Sequence, residues 1–191
     1  MNVITRQTLT LDEFLAWERQ QELAHEFDGV RVIPMNGGTL GHYEIAANLM
    51  VLLRTLINRS THRVVPAGVK VLVDGRIRYP DLVVATKTDD TSVDIVPEPV
   101  VVVEVSSPTS VARDTVTKNR EYRATPTINQ YVVVEQDTIA ATSWLRAGDD
   151  WVGTLLTGDA SLHFPALGVT VALNALYEGV TLPKEEEPTE I

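Results

Sequence analysis

The sequence predicts an α/β fold of the α+β type, in which helices pack on a mixed sheet. Three runs rich in valine, at residues 82–84, 99–107 and 128–135, are apolar on both faces, which is typical of strands buried in the middle of a sheet. Residues 41–57 instead repeat leucine and isoleucine at three- and four-residue intervals, as an amphipathic helix does. Strands lie on both sides of the predicted helices along the chain, and this order favours a mixed sheet.

Length and composition limit the classes of protein to consider. The 191 residues are enough for one sizeable core, so we expect a single domain over residues 1–183 and an acidic, disordered tail over residues 184–191. The chain has no cysteine, which excludes disulfides and thiolate metal sites. It shows neither a signal-peptide pattern nor an apolar run near the ~20 residues of a membrane helix. We therefore expect a cytoplasmic protein that does not bind membranes.

The charge balance argues against one broad mode of nucleic-acid binding. The formal net charge is -10, which is unfavourable for a protein that grips nucleic acid across a wide basic face. A local basic groove stays open as an alternative, and a site built from metal-binding carboxylates would itself contribute acids to this balance.

The first third of the chain predicts a helix followed by a hairpin. Residues 10–21 have helical spacing, and Thr10 with Glu13 matches a capping box. Residues 23–34 read as strand, turn and strand, because Asp28-Gly29 is a strong hairpin signal. Glu26 lies just before this turn and, taken alone, would be a solvated strand residue.

The middle of the chain places an aspartate at the mouth of a buried strand. The helix at residues 41–57 has His42 in its first turn, where a capping or surface role is the simpler interpretation, although it could face a site. One or two strands follow at residues 63–73. Residues 77–85 then predict a strand that begins at Pro80-Asp81, since proline is tolerated at the first strand position. Taken alone, Asp81 could equally be a turn or capping acid.

The second half begins with the strand that contains Glu104 and continues with a helix. A break at residues 107–109, with Ser110 or a neighbour as the cap, predicts a helix over residues 111–124. Lys118 and Tyr122 share one side of this helix by spacing, and a lysine there could be a snorkelling side chain. The remaining predicted elements are a strand at 128–135, a hairpin from 139–145 and 151–156, short strands at 161–164 and 169–171, and a helical turn at 173–177.

Glu104 is the residue that most needs a chemical explanation. An unpaired carboxylate inside a buried valine strand is costly, so Glu104 requires a cation, a hydrogen-bond donor or a metal. If the strands of Asp81 and Glu104 are neighbours, the two carboxylates converge and suit Mg²⁺ or Mn²⁺. Lys118 would then polarise the attacking water and stabilise the transition state, and Glu26 could add a ligand.

An ordered set of motifs makes the sequence recognisable over nearly the whole chain. The matching pieces are HEFDG at 25–29, GH at 41–42, VKV at 69–71, YPDLVV at 79–84, VVEVSSPT at 102–109, and Asp114, Lys118 and Tyr122-Arg123. Together they resemble the Uma2 family, also called DUF820, whose members are proposed restriction endonucleases of the PD-(D/E)xK superfamily. The HEFDG opening has one residue fewer before its aspartate than the family pattern.

The resemblance implies a fold, a metal site and a set of residue roles. It implies a restriction-endonuclease-like core with flanking helices and a C-terminal β-hairpin region. It also implies Asp81 and Glu104 as ligands of Mg²⁺ or Mn²⁺, the backbone carbonyl of Val105 as a third ligand, and Glu26 as an additional acid. The superfamily has a lysine two residues after the glutamate, where this chain has Ser106. The family pattern moves that role to Lys118, with Lys70 as the rival candidate.

Three functions remain open at this point. The leading hypothesis is a metal-dependent endonuclease that hydrolyses DNA phosphodiester bonds with a metal-activated water. The alternative is a catalytically inactive nuclease-fold protein that binds or interacts, in which Glu104 is neutralised by Lys118 or Lys70 as a structural ion pair. A third is a hydrolase acting on another phosphoester, such as RNA. A homodimer would let two sites act on two strands, but no residue establishes one.

Overall fold

In the computed structural model, the described residues are 9–35, 37–106 and 113–183, with side chains from residue 116 onward in the last range. The described helices are α1 (Leu11–Glu18), α2 (Leu40–Leu56) and α3 (Arg113–Ala124). The described strands are β1 (His25–Phe27), β2 (Val32–Pro34), β3 (His62–Pro66), β4 (Val71–Val73), β5 (Arg76–Arg78), β6 (Leu82–Thr86), β7 (Pro99–Ser106), β8 (Gln130–Glu135), β9 (Ala140–Ala147), β10 (Asp150–Thr157), β11 (Ser161–Phe164) and β12 (Val169–Ala172). The predicted break at 107–109, its cap and the predicted acidic tail lie outside the described residues.

A six-stranded mixed sheet forms the centre of the fold, as the valine-rich runs predicted. Its strand order is β10-β9-β8-β7-β6-β3. The pair β7–β8 is parallel and the other neighbours are antiparallel. A parallel pair needs a crossover connection, and the segment containing α3 supplies it. The α+β prediction with a mixed sheet is therefore confirmed.

The two faces of this sheet bury different helices. Alternate side chains of β7 point to opposite faces, so Val101 and Val103 pack with the apolar stripe of α2. Val102 lies on the other face, where it packs with Tyr122 of α3 and Tyr131 of β8. Glu104 follows the parity of Val102 and therefore projects toward α3.

A smaller four-stranded sheet, in the order β2-β1-β5-β4, lies beside this core. Its β1–β2 hairpin turns at Gly29, whose φ of +90° lies in the left-handed region that favours glycine. The strand predicted to begin at Pro80-Asp81 forms as β6, but the sequence analysis missed β5, a separate strand just before it. Residues 76–78 pair with β1 and β4 in the small sheet, whereas β6 begins at Leu82 in the large one. Pro80 separates the two strands because it has no N–H to donate to a ladder.

The C-terminal part forms the predicted hairpins. Strands β9 and β10 pair along eight residues, and β11 pairs with β12. The final turn, Leu173–Tyr177, is a 3₁₀-helix whose Leu173, Leu176 and Tyr177 pack in the core with α2. None of the helices in the described part of the chain combines the length and the apolar character that crossing a membrane requires.

Candidate active site

Asp81 lies at the start of β6, beside the end of β7. Leu82 pairs with Val103, so the chain at Asp81 comes level with Glu104 and Val105. The main-chain N–H of Val105 donates to Asp81 Oδ2 at 2.7 Å, and His42 Nε2 lies 2.8 Å from Asp81 Oδ1. Because a carboxylate accepts hydrogen bonds, the imidazole is the donor in this pair. The hydrogen bond to Asp81 raises the pKa of His42.

Glu104 meets the partners that its burial demands. The hydroxyl of Tyr122 donates to Glu104 Oε1 at 2.7 Å. Lys118 Nζ lies 3.3 Å from Oε1 and 3.4 Å from Oε2 of the same carboxylate. Burial raises the pKa of Glu104 to about 7, opposed by the charge of Lys118 and reinforced by the charge of Asp81. The two residues predicted to share one side of α3 thus both reach Glu104.

Glu26 joins the same cluster from the small sheet. Its carboxylate accepts from the Tyr79 N–H at 3.3 Å and from Arg78 NH1 at 3.1 Å, and Lys118 Nζ lies 3.3 Å from Oε1. Glu26 is 5% exposed. The simpler interpretation of Glu26 as a solvated strand residue is therefore wrong. Lys118 lies between two carboxylates, Glu26 and Glu104.

Lys70 belongs to a separate buried cluster. Its Nζ lies 3.2 Å from Glu18 Oε2 and 3.3 Å from Asp94 Oδ2. The hydroxyl of Tyr79 donates to the other oxygen of Glu18 at 2.6 Å. Of the two candidate lysines, Lys118 is thus the one that contacts Glu104, whereas Lys70 pairs with acids of α1 and the loop before β7.

The oxygen donors at this end of the sheet are of the kind that a hard divalent cation binds. The carbonyls of Val100 and Ser106 accept from the N–H groups of Asn129 and Gln136, which flank β8. Successive carbonyls of a strand alternate in direction, so the carbonyl of Val105 points away from β8, to the side of Asp81. No group of three His, Cys, Asp or Glu within the described ranges could hold a metal. Two carboxylates and a carbonyl nevertheless suit Mg²⁺, which commonly binds through one or two carboxylates and keeps several waters.

Comparison with known proteins identifies the family of this chain. The model of the Uma2 family, described as "Putative restriction endonuclease", matches residues 11–174. The chain belongs to the Uma2 family. The family expected from the motifs is thereby confirmed.

Two bacterial proteins and one solved structure are similar to this Uma2 chain. The uncharacterized Synechocystis proteins slr1290 and sll1609 are 26% and 28% identical to it, over 90% and 86% of the chain and 93% and 97% of their own lengths. The crystal structure of a putative nuclease belonging to DUF820 from Anabaena variabilis superposes with a TM-score of 0.72 at 16% identity. That match covers 89% of this chain and 98% of the Anabaena chain. At this identity the likeness shows a shared fold.

Two charged residues of the cluster were not singled out in the sequence. Arg78 and Glu121 are 2% and 1% exposed and pair with each other. Arg78 stands three residues before Asp81, and Glu121 stands three after Lys118, on the same side of the helix. Their proximity to motif residues was the available signal, but burial of a charged residue cannot be seen in a polar, surface-like sequence pattern.

Proposed function

We propose that this Uma2 protein is a metal-dependent endonuclease that hydrolyses DNA phosphodiester bonds. The observation that carries the proposal is the meeting of Asp81, Glu104 and Lys118 at one end of the adjacent strands β6 and β7. These residues come from three separate elements, and they match the family motif at their positions in the sequence. Family membership supports action on a nucleic acid, and the choice of DNA rests on the family's description as a restriction endonuclease.

The carboxylates give this end of the sheet its affinity for a cation. In the proposed site Asp81, Glu104 and the carbonyl of Val105 would hold Mg²⁺ or Mn²⁺. When bound, such an ion would supply activation of a water molecule and neutralisation of charge on the phosphate. Glu26 and Glu104 both pair with Lys118, the charge of Asp81 acts on Glu104, and Arg78 is shared between Glu26 and Glu121. A cation therefore reduces the repulsion among these acids.

The side chains around the carboxylates have distinct tasks in the proposed reaction. His42 and the Val105 N–H orient Asp81, and Tyr122 orients Glu104. The ammonium of Lys118 positions the attacking water and stabilises the negative charge that develops on the phosphate. Glu26, with both oxygens engaged, pairs with the ammonium of Lys118 and helps to fix its position beside Glu104.

Three observations favour the second candidate, a nuclease-fold protein that binds partners without catalysis. Lys118 contacts Glu104 directly, as a structural ion pair would, and Ser106 occupies the position of the superfamily lysine. The net charge of -10 points the same way. Cleavage assays separate the two candidates, because a structural pair predicts lost stability and no phosphodiester hydrolysis.

Nicking of supercoiled plasmid in Mg²⁺ or Mn²⁺ tests the proposal. We expect wild type to cleave, and Asp81→Asn and Lys118→Met each to lower the rate by about 100-fold or more, the usual cost of removing a preorganised charge from a site. Lys70→Met is the matched control, because it also removes a buried lysine from two ion pairs. We expect that variant to retain cleavage in proportion to its folded fraction.

Three results would each contradict a part of the proposal. Absence of cleavage by folded wild type on plasmid, linear and single-stranded DNA in either metal would favour the binding protein. Cleavage that survives Lys118→Met but not Lys70→Met would transfer the catalytic role to Lys70. Cleavage of RNA in preference to DNA would support the metal site and change the substrate.

A further inference from the structure

The lysine of the candidate site belongs to a series of three ion pairs that helix α3 closes into a ring. Lys118 pairs with Glu26, Glu26 with Arg78, and Arg78 with Glu121, which returns to α3 three residues after Lys118. The ring therefore joins β1, β5 and α3. Charges alternate in sign around the ring. Glu26 and Arg78 each have an opposite charge on both sides, and Lys118 and Glu121 are joined through the helix.

Arg78 is the residue of this ring that links its two carboxylates. Its Nε donates to Glu121 Oε2 at 2.7 Å and its NH2 donates to Glu121 Oε1 at 2.9 Å, which makes a two-pronged pair. The third nitrogen, NH1, donates to Glu26 Oε2 at 3.1 Å. All three guanidinium nitrogens are thus directed at carboxylates, and only the planar fork of arginine can make this set of bonds at once.

Stability alone is a poor explanation for such an arrangement. Charges that leave water lose hydration, and apolar residues of equal volume often stabilise a core as well or better. The ring also acts on one particular group, since its Glu26 pairs with the lysine that contacts Glu104, and its Glu121 lies on the same helix as that lysine. Because the Arg78–Glu121 pair fixes helix α3 against strand β5, it also restricts where the Nζ of Lys118 can lie.

We propose that Arg78 and Glu121 are positioning residues, which hold Glu26 and helix α3 so that the Lys118 ammonium stays against Glu104. The catalytic consequence rests on the proposed function, whereas the effect on Lys118 does not. Arg78 and Glu121 act through other residues and need no contact with substrate. Arg76 adds support from the next outward position of β5, with its Nε 3.2 Å from Glu121 Oε1.

Two variants weaken the ring with little change in volume. Arg78→Lys keeps one positive charge but lacks the fork, and Glu121→Gln removes one negative charge at nearly constant shape. Glu18→Gln is the matched control, because Glu18, like Glu121, is a buried glutamate in an ion pair, but it pairs with Lys70 in the separate cluster. Denaturation midpoints of all three establish that the folded protein is compared.

The first readout is chemical and does not need nuclease activity. Lys118 in the folded protein is labelled with acetic anhydride, and its rate of acylation is read by peptide mass spectrometry. We expect Arg78→Lys and Glu121→Gln to raise that rate by about tenfold, as a loss of about 1.4 kcal/mol in the restraint on the amine would do. Glu18→Gln is expected to leave it at the wild-type value.

The second readout is the split between kcat and KM for plasmid cleavage. We expect the two ring variants to lower kcat by about 10- to 100-fold with little change in KM, since small misplacement of a reacting group costs about that much. Equal labelling and equal kinetics in Glu121→Gln and Glu18→Gln would overturn the inference. Wild type that cleaves no DNA would overturn the proposed function, and the labelling rates would still decide whether the ring positions Lys118.

Discussion

At the scale of single residues, Asp81 shows how a side-chain oxygen can take the place of a backbone carbonyl at the end of a strand pair. Pro80 ends pairing on this edge, and Asp81 Oδ2 accepts the Val105 N–H that a β6 carbonyl would otherwise accept. The other oxygen accepts from His42 at the start of α2. The carboxylate is therefore held by two donors, one from the neighbouring strand β7 and one from α2. Such outer partners of a ligand orient it and tune its basicity.

His42→Ala tests this orientation. If Asp81 binds the metal, loss of the imidazole partner should weaken Mg²⁺ or Mn²⁺ binding by about 10- to 100-fold, the range found when outer partners of ligands are removed. Isothermal titration calorimetry of wild type and variant gives the comparison. His62→Gln is the control. His62 contacts Thr61 and pairs with Thr86, at the end of β6 that is far from Asp81. Equal affinity in wild type and His42→Ala would exclude an orienting role for His42.

At the scale of elements, α1 shows that a helix with a locally determined start can contribute a residue to a cluster of distant segments. Its capping box is complete, because Glu13 N–H donates to Thr10 Oγ1 at 3.3 Å and Thr10 N–H donates to Glu13 Oε2 at 2.8 Å. The hydrogen bonds from Thr10 lower the pKa of Glu13. Seven residues on from Leu11 the helix ends at Glu18, which binds Tyr79 and Lys70.

Thr10→Ala should destabilise the protein by about 1 kcal/mol, the typical cost of an N-cap side chain. The reason is that the Glu13 N–H loses its acceptor at the helix start. Chemical denaturation followed by circular dichroism measures the change. Thr10→Ser keeps the hydroxyl and is expected to stay near wild type, and an unchanged midpoint in Thr10→Ala would show that α1 is held by packing alone.

At the scale of the whole molecule, electrostatics oppose the proposed substrate. A protein with a net charge of -10 repels DNA unless a local positive charge compensates. The candidate site has carboxylates at its centre, so a bound divalent cation would be the largest local positive charge there. Affinity for DNA should therefore depend on divalent ions more than on surface lysines or arginines.

Lys118→Met, expected to be inactive, allows this dependence to be measured without cleavage. We expect it to bind a labelled DNA duplex about tenfold more tightly in Ca²⁺ than in EDTA, a difference of about 1.4 kcal/mol. Fluorescence anisotropy at constant ionic strength measures both affinities. Adding Asp81→Asn should reduce the effect of Ca²⁺, and equal binding in EDTA and Ca²⁺ would place DNA away from the carboxylates.

Much of the architecture could be predicted because it depends on local patterns. The valine runs, the helical repeat of α2, the capping box and the Asp-Gly turn each lie within a few residues, and each forms as expected. Asp81 and Glu104 could be singled out for the same reason, as acids attached to buried strands. The division of residues 77–85 between two sheets could not, because a short strand does not specify which sheet it joins.

The sequence by itself determined the family, the mixed sheet and the two carboxylates that we propose as metal ligands. Only the tertiary structure decided that Lys118, and not Lys70, is the partner of Glu104. It also decided that Glu26 is buried and that Arg78 pairs with both Glu26 and Glu121. Those last contacts link residues 52 and 43 positions apart. Periodicity and turn signals act over a few residues, whereas the partner of a buried charge depends on which distant segments pack together.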